Sequence, residues 1–197
     1  MKSSITRMIV LTAGAAIALT AQTPANPLST EAQQAWVRTI GFAVAAAEKM
    51  PDEGYAYKPT PESMSFKELV AHTADSAMGA CSGYSGERKT AGAAKMESKA
   101  ELVGAMKAAQ TECEKAYGSL TDAKAVEMIA GRGGNRSRLS TLWGNTVHIE
   151  HEYAQMAVHL RVVRIRKERC HQEKCCNSHR LIVSYFALLQ SRFPCRS

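Results

Sequence analysis

The middle of the chain has no run in which apolar and polar residues alternate, which removes the ordinary half-buried strand and with it a sandwich or barrel. No apolar run approaches the roughly 20 residues that a membrane-spanning helix requires. Collagen-like repeats, coiled-coil heptads and a disordered composition are absent as well: at 45% hydrophobic and 22% charged, the 197 residues have the make-up of one globular domain. Over most of the length net charge is also missing. The formal charge is +7, but residues 161–197 hold nine Lys/Arg against two Asp/Glu, and residues 1–160 balance at sixteen of each. A basic field suited to nucleic acid is therefore excluded for the domain and confined to the C-terminal segment, and no specific nucleic-acid partner is expected.

What is present begins with a leader. Residues 1–7 are short and basic, Met8 to Thr20 are apolar, and small residues surround Ala21. This reads as a signal peptide over residues 1–21, with an uncleaved anchor as the alternative. The Pro-containing stretch over residues 22–28 suits a flexible mature start. Export to the periplasm or beyond follows, with no membrane span left after cleavage, and an oxidising compartment makes cysteine pairs readable.

The rest is helical by composition and by its caps. One helix is expected from about Thr30 to Met50, before Pro51. A second opens at Ser65 with Glu68 three residues on and runs to about Tyr84, and a third opens at Ser98 with Glu101 and runs to Tyr117; both starts are capping boxes. A short helix near Thr121–Ala130 and a Gly/Arg loop from Gly131 to Arg136 precede the last helix, from about Ser137 past Leu160. The loop reads as a plain connection, because no strand precedes it and no Lys-Ser/Thr follows. Long amphipathic helices of this number make an all-α four-helix bundle the default.

Cys81 and Cys113 stand at matching heights, each roughly 23 Å beyond its own capping serine. Parallel second and third helices would bring the sulfurs level, and the connection between them is long enough to return along the bundle. The expectation is a crossover bundle pinned by a Cys81–Cys113 disulfide, against two unpaired buried thiols.

The chemistry concentrates in the last helix. At about 100° per residue, His148, Glu152, Gln155 and His159 share an arc of roughly 60°. Leu142, Ile149, Met156 and Leu160 flank the arc on one side, Val147, Ala154 and Val158 on the other, while Thr146, Glu150 and Arg161 point away. A polar stripe framed on both sides by apolar residues is expected to face the core. An unpaired buried carboxylate costs several kcal/mol, and a metal ion is a common solution. His72 is the one histidine outside the last helix and the tail. His72, His148 and Glu152 would form a two-His, one-carboxylate set for zinc, nickel, iron or manganese, with His151 the alternative third ligand and Gln155, His159 and Asp75 just outside. The competing reading is a hydrogen-bonded core histidine among surface charges.

The residues carry a resemblance. Pro51-Asp52-Glu53-Gly54-Tyr55, Lys58-Pro59-Thr60-Pro61-Glu62, Ser65 to Asp75, Asn145-Thr146-Val147-His148, Glu152-Tyr153-Ala154-Gln155 and His159-Leu160-Arg161 follow one another as in the DinB/YfiT-like metalloenzymes, especially their exported members. The likeness covers about residues 28–161. It implies an up-down-down-up four-helix bundle over residues 29–161 and a divalent metal held by three histidines, the first two matching His72 and His148. The family's third histidine stands four residues after the second and commonly follows Glu; here His151 and Glu152 are transposed. Either Glu152 replaces the imidazole, or His151 reaches in, or the metal is lost.

Beyond Arg161 the composition changes. Residues 162–197 carry four of the six cysteines, Cys170, Cys175 and Cys176 among them, and the apolar run Leu181–Leu189. The segment reads as an atypical basic, Cys-rich tail with weakly defined structure. A Cys/His metal knuckle with His179 matches no standard zinc spacing. The function expected is a metal-dependent hydrolase or thiol or group transferase with a small-molecule substrate, a homodimer being compatible. The alternative is a non-catalytic exported bundle, a binding or stress-related protein with a degenerate site.

Overall fold

A computed structural model of the protein describes residues 25–131 and 133–183. The signal-peptide expectation lies outside the described residues. Helix α1 spans Pro27–Lys49, α2 Phe66–Tyr84, α3 Lys99–Gly118 and the one-turn α4 Asp122–Ala125; strands β1, Met128–Gly131, and β2, Gly134–Ser137, lead into α5, Arg138–Val183.

Both expected capping boxes form. The Ser65 hydroxyl accepts from the Glu68 N–H while the Glu68 carboxylate accepts from the Ser65 N–H, and Ser98 and Glu101 repeat the arrangement. The Ser65 N–H and hydroxyl, with Lys58 behind them, hold the Glu68 carboxyl down to about 2. The apolar faces that follow these caps close on one core, in which Trp36, Ile40, Phe66, Leu69, Val70, Leu102, Met106, Leu142, Ile149 and Met156 are fully buried. Trp36 stacks on Tyr117 with ring centroids 5.0 Å apart. The Tyr117 hydroxyl donates to the Leu142 carbonyl, tying α3 to the start of α5.

Cys81 and Cys113 are joined by a disulfide with Cα atoms 4.9 Å apart. Near the other end of α2, Lys67 pairs with Glu97, which immediately precedes the Ser98 cap of α3. The Asn145 amide of α5 donates toward both sulfurs, at 3.6 and 3.8 Å, and toward the Tyr117 hydroxyl at 3.4 Å.

Several expectations are corrected. Helix α1 begins at Pro27, ahead of the expected Thr30: the Asp122 carboxylate accepts from the Leu28 and Ser29 N–H groups, and the Asn26 side chain accepts from the Asp122 N–H. The cap of α1 thus comes from a residue more than 90 positions away, beyond the reach of any local signal. The helix expected over Thr121–Ala130 stops at Ala125. The loop beyond it is a hairpin that pairs Met128 with Ser137 and Gly131 with Gly134. Gly133 and Gly134 take φ of +87° and +124°, the left-handed backbone that a tight hairpin demands, so this protein is not strictly all-α. Thr146 does not point away from the bundle; it is buried and bonded to Tyr117. Helix α5 runs past the expected Leu160 to Val183. The side chains of Cys170, Cys175, Cys176 and His179 lie outside the described ones, as do residues 184–197.

The disulfide closes a loop of 32 residues, for which chain entropy gives a stabilisation of roughly 3–4 kcal/mol. Replacing both cysteines by alanine is expected to lower the unfolding free energy by about that amount in denaturant titrations, and a change below about 1 kcal/mol would show that the bridge does not restrain the unfolded chain.

Candidate metal centre

His72 lies in the second turn of α2 and His148 and Glu152 one turn apart on α5, so the packing of those two helices decides whether the three meet. They do. Glu152 Oε1 lies 3.9 Å from His72 Nε2 and 3.8 Å from His148 Nδ1. One ligand atom from each residue lies within 4.8 Å of the others. Ligands bonded to one ion at about 2.0–2.1 Å stand roughly 3.3 Å apart in a tetrahedron, so closure needs side-chain shifts below about 1.5 Å. The imidazole rings meet edge to face with centroids 5.1 Å apart.

The carboxylate is the constrained member. Its side chain is 4% exposed, against 46% for His72 and 39% for His148. Gln155, one turn on, donates from Nε2 to Glu152 Oε2 at 3.2 Å, which leaves Oε1 turned to the two imidazoles. Burial pushes the His148 imidazole below its ordinary value; Glu152 pulls it back up, and His72 and His151 push it further down. The net direction favours the neutral ring, the form that ligates metal.

The site therefore sits at the rim of the seam between α2 and α5. The expected two-sided apolar frame holds on one side only: Leu142, Ile149 and Met156 are buried, whereas Val147 and Val158 are about half exposed. The polar stripe marks the edge of the core, because large apolar side chains of α1, α2 and α5 already fill the interior.

The other candidates are placed as follows. His151 is exposed and does not join the cluster. His159 is buried, its Nδ1 on the Gln155 carbonyl at 2.8 Å and its Nε2 on the Met64 carbonyl at 3.1 Å, so it bolts α5 to the segment before α2. The Asp75 carboxylate is engaged by the α2–α3 connection, accepting from the Thr90 hydroxyl and the Ala93 and Ala94 N–H groups. Burial alone would raise its carboxyl, but the Thr90 hydroxyl and the N–H groups of Ala93, Ala94 and Gly92 outweigh burial and hold it below its usual range. It anchors the α2–α3 connection. Ser76, which the sequence reading missed, places its hydroxyl 3.5 Å from His72 Nε2; its position four residues after His72 on the same helix was the available signal.

A helical bundle with a two-His, one-carboxylate cluster on the seam of two helices defines the class. The model of the DinB superfamily matches residues 35–156, and the chain belongs to that superfamily. Among solved structures it is similar to the crystal structure of a DinB-like protein, YjoA, from Bacillus subtilis, at 21% identity and a TM-score of 0.56, over 68% of this chain and 91% of that one. No curated protein matches the sequence.

Asp75 supplies a test separate from the ligands. A carboxylate whose folded pKa is depressed stabilises the fold above its unfolded value of about 3.9, and the contribution is lost as pH falls through the folded value. Asp75→Asn is expected to cost about 1 kcal/mol at neutral pH, and its thermal stability to converge on that of wild type below about pH 4. A deficit that persists unchanged in acid would assign the loss to packing.

Proposed function

We propose that the chain is an exported, divalent-metal-dependent enzyme, a hydrolase or a thiol or group transferase, acting on a small-molecule substrate at His72, His148 and Glu152. The observation that carries this reading is Glu152: a buried carboxylate whose one oxygen is oriented by Gln155 while the other faces two ring nitrogens from separate helices. Two imidazole nitrogens and one carboxylate oxygen fit zinc, nickel, iron or manganese and leave positions for other ligands. When bound, such an ion supplies Lewis-acid polarisation and activates water or a thiol. The chain's own residues do the rest: His72 and His148 offer ring nitrogens, Glu152 offers a carboxylate oxygen, and the half-exposed rim admits a substrate from solvent. An oxidising compartment disfavours a thiol cosubstrate, so hydrolysis ranks first.

An up-down-down-up bundle with its crossover between α2 and α3 is part of the proposal. It is supported by the Lys67–Glu97 and Cys81–Cys113 links near corresponding ends of α2 and α3. Lys99, at the start of α3, donates to the Met50 carbonyl at the end of α1, and His159, near the middle of α5, reaches Met64 before α2. A second reading, a non-catalytic bundle with a degenerate site, is favoured by the exposure of His151, the histidine nearest the family's third position.

Elemental analysis of the mature chain separates the two. About one equivalent of divalent metal is expected, lost in His72→Ala and in His148→Ala, and no metal after supplementation with zinc, nickel, manganese and iron would overturn the enzyme reading. Exchanging His151 and Glu152 tests the transposition. Unchanged or lowered affinity after the exchange indicates that Glu152 is a working ligand, and a large gain indicates a damaged site.

A further inference from the structure

The charge excess and an apolar groove meet at one end of the molecule. Where α1 ends and α5 leaves the bundle, a groove of about 800 Å³ has Pro51, Leu160 and Val163 as its apolar lining and Lys49, Arg161 and Arg164 as its cations. Arg164 is paired with Glu168 at 2.8 Å, and the Arg166 guanidinium sits over the Tyr57 ring at 5.0 Å on the same end. From Arg161 onward the sequence holds nine Lys/Arg against two Asp/Glu, and α5 carries most of them, to Val183. Beyond Glu168, the last lining residue, that helix extends roughly 22 Å.

We propose that this end is a docking surface for an anionic lipid membrane. A surface of negative headgroups complements the cations, and the apolar lining suits the acyl boundary just beneath them. Nucleic acid would leave the apolar lining of Pro51, Leu160 and Val163 unused, since those side chains offer its bases neither an aromatic face nor a hydrogen bond. The attachment is peripheral: among the described residues no helix is long and apolar enough to cross a membrane. It is also independent of metal. Glu152 lies eight residues before Leu160 on α5, so docking would hold the metal cluster about 12 Å from the groove along the helix axis.

Co-sedimentation of the full mature chain with vesicles tests the proposal, using phosphatidylcholine alone and phosphatidylcholine mixed with phosphatidylglycerol, each at low and high salt. Binding is expected to the mixed vesicles only, to weaken in high salt, and to fall roughly five-fold for Arg161→Ser and again for Arg164→Ser, as about 1 kcal/mol per cation implies. Both positions are exposed, so circular dichroism of the variants should match wild type. Equal binding to both vesicle types, no binding to the mixed vesicles at low salt, or binding that the two substitutions leave unchanged would each overturn it. Retention on duplex DNA without retention on vesicles would do the same.

Discussion

A carboxylate taken out of water at the junction of two helices is the constraint around which this molecule is arranged. Glu152 is nearly inaccessible, and a buried charge is tolerated when it is hydrogen-bonded and faced by cations or metal. Each neighbour on its helix serves that need in a different way. Gln155 takes one oxygen, His148 faces the other from the preceding turn, and His159, a turn further on, fixes the helix against the Met64 carbonyl. Only His72 comes from elsewhere, and the position of α2 against α5 sets its distance. The disulfide, the Lys67–Glu97 bridge and the Asp75 hydrogen bonds fix α2 against α3 and the connection between them. The Asn145 amide then extends that restraint from the sulfurs to α5. Structural polar groups and candidate ligands form one continuous set.

The parts of the fold legible in the sequence are those governed by local chemistry. Ser65 with Glu68 and Ser98 with Glu101 define helix starts through hydrogen bonds spanning three residues, and both are found as read. Cys81 and Cys113 were legible for a related reason, since a helix converts sequence offset into height and equal heights invite a bridge. What failed depends on distant partners or on geometry that composition does not encode. Asp122 caps α1 from across the chain, so the start of α1 looked flexible. Met128-Ile129-Ala130-Gly131 is too short for a periodic signal and becomes a strand only because Gly133 and Gly134 turn it back on Gly134–Ser137.

The site divides along the same line. The spacing of His148, Glu152, Gln155 and His159 established that they share a face, and the absence of other histidines in the bundle singled out His72. Depth was not legible. A helical wheel says which residues are neighbours but not where the core boundary passes, and here it passes through the stripe, leaving Val147 and Val158 on the solvent side and Ile149 and Met156 inside. The role of Asp75 was hidden too, because its partners belong to a connection whose path no periodicity describes.

That boundary bears on what the cluster can do. Were His72 and His148 as deeply buried as Glu152, an ion held by the three would be closed to solvent, as in structural sites. Partial exposure of the imidazoles with a buried carboxylate gives the opposite arrangement, a fixed carboxylate below and two imidazoles facing an accessible rim. Replacing a third imidazole by a carboxylate lowers the net charge of an occupied site by one unit, which weakens its pull on a further ligand while making the donor set harder. Such a centre would trade polarising power for a preference toward oxygen-seeking ions, and Gln155 becomes consequential because it decides which carboxylate oxygen meets the ion. Were Glu152 the third ligand, the transposition of His151 and Glu152 would change the chemical character of the site, with the carboxylate buried and the two imidazoles partly exposed.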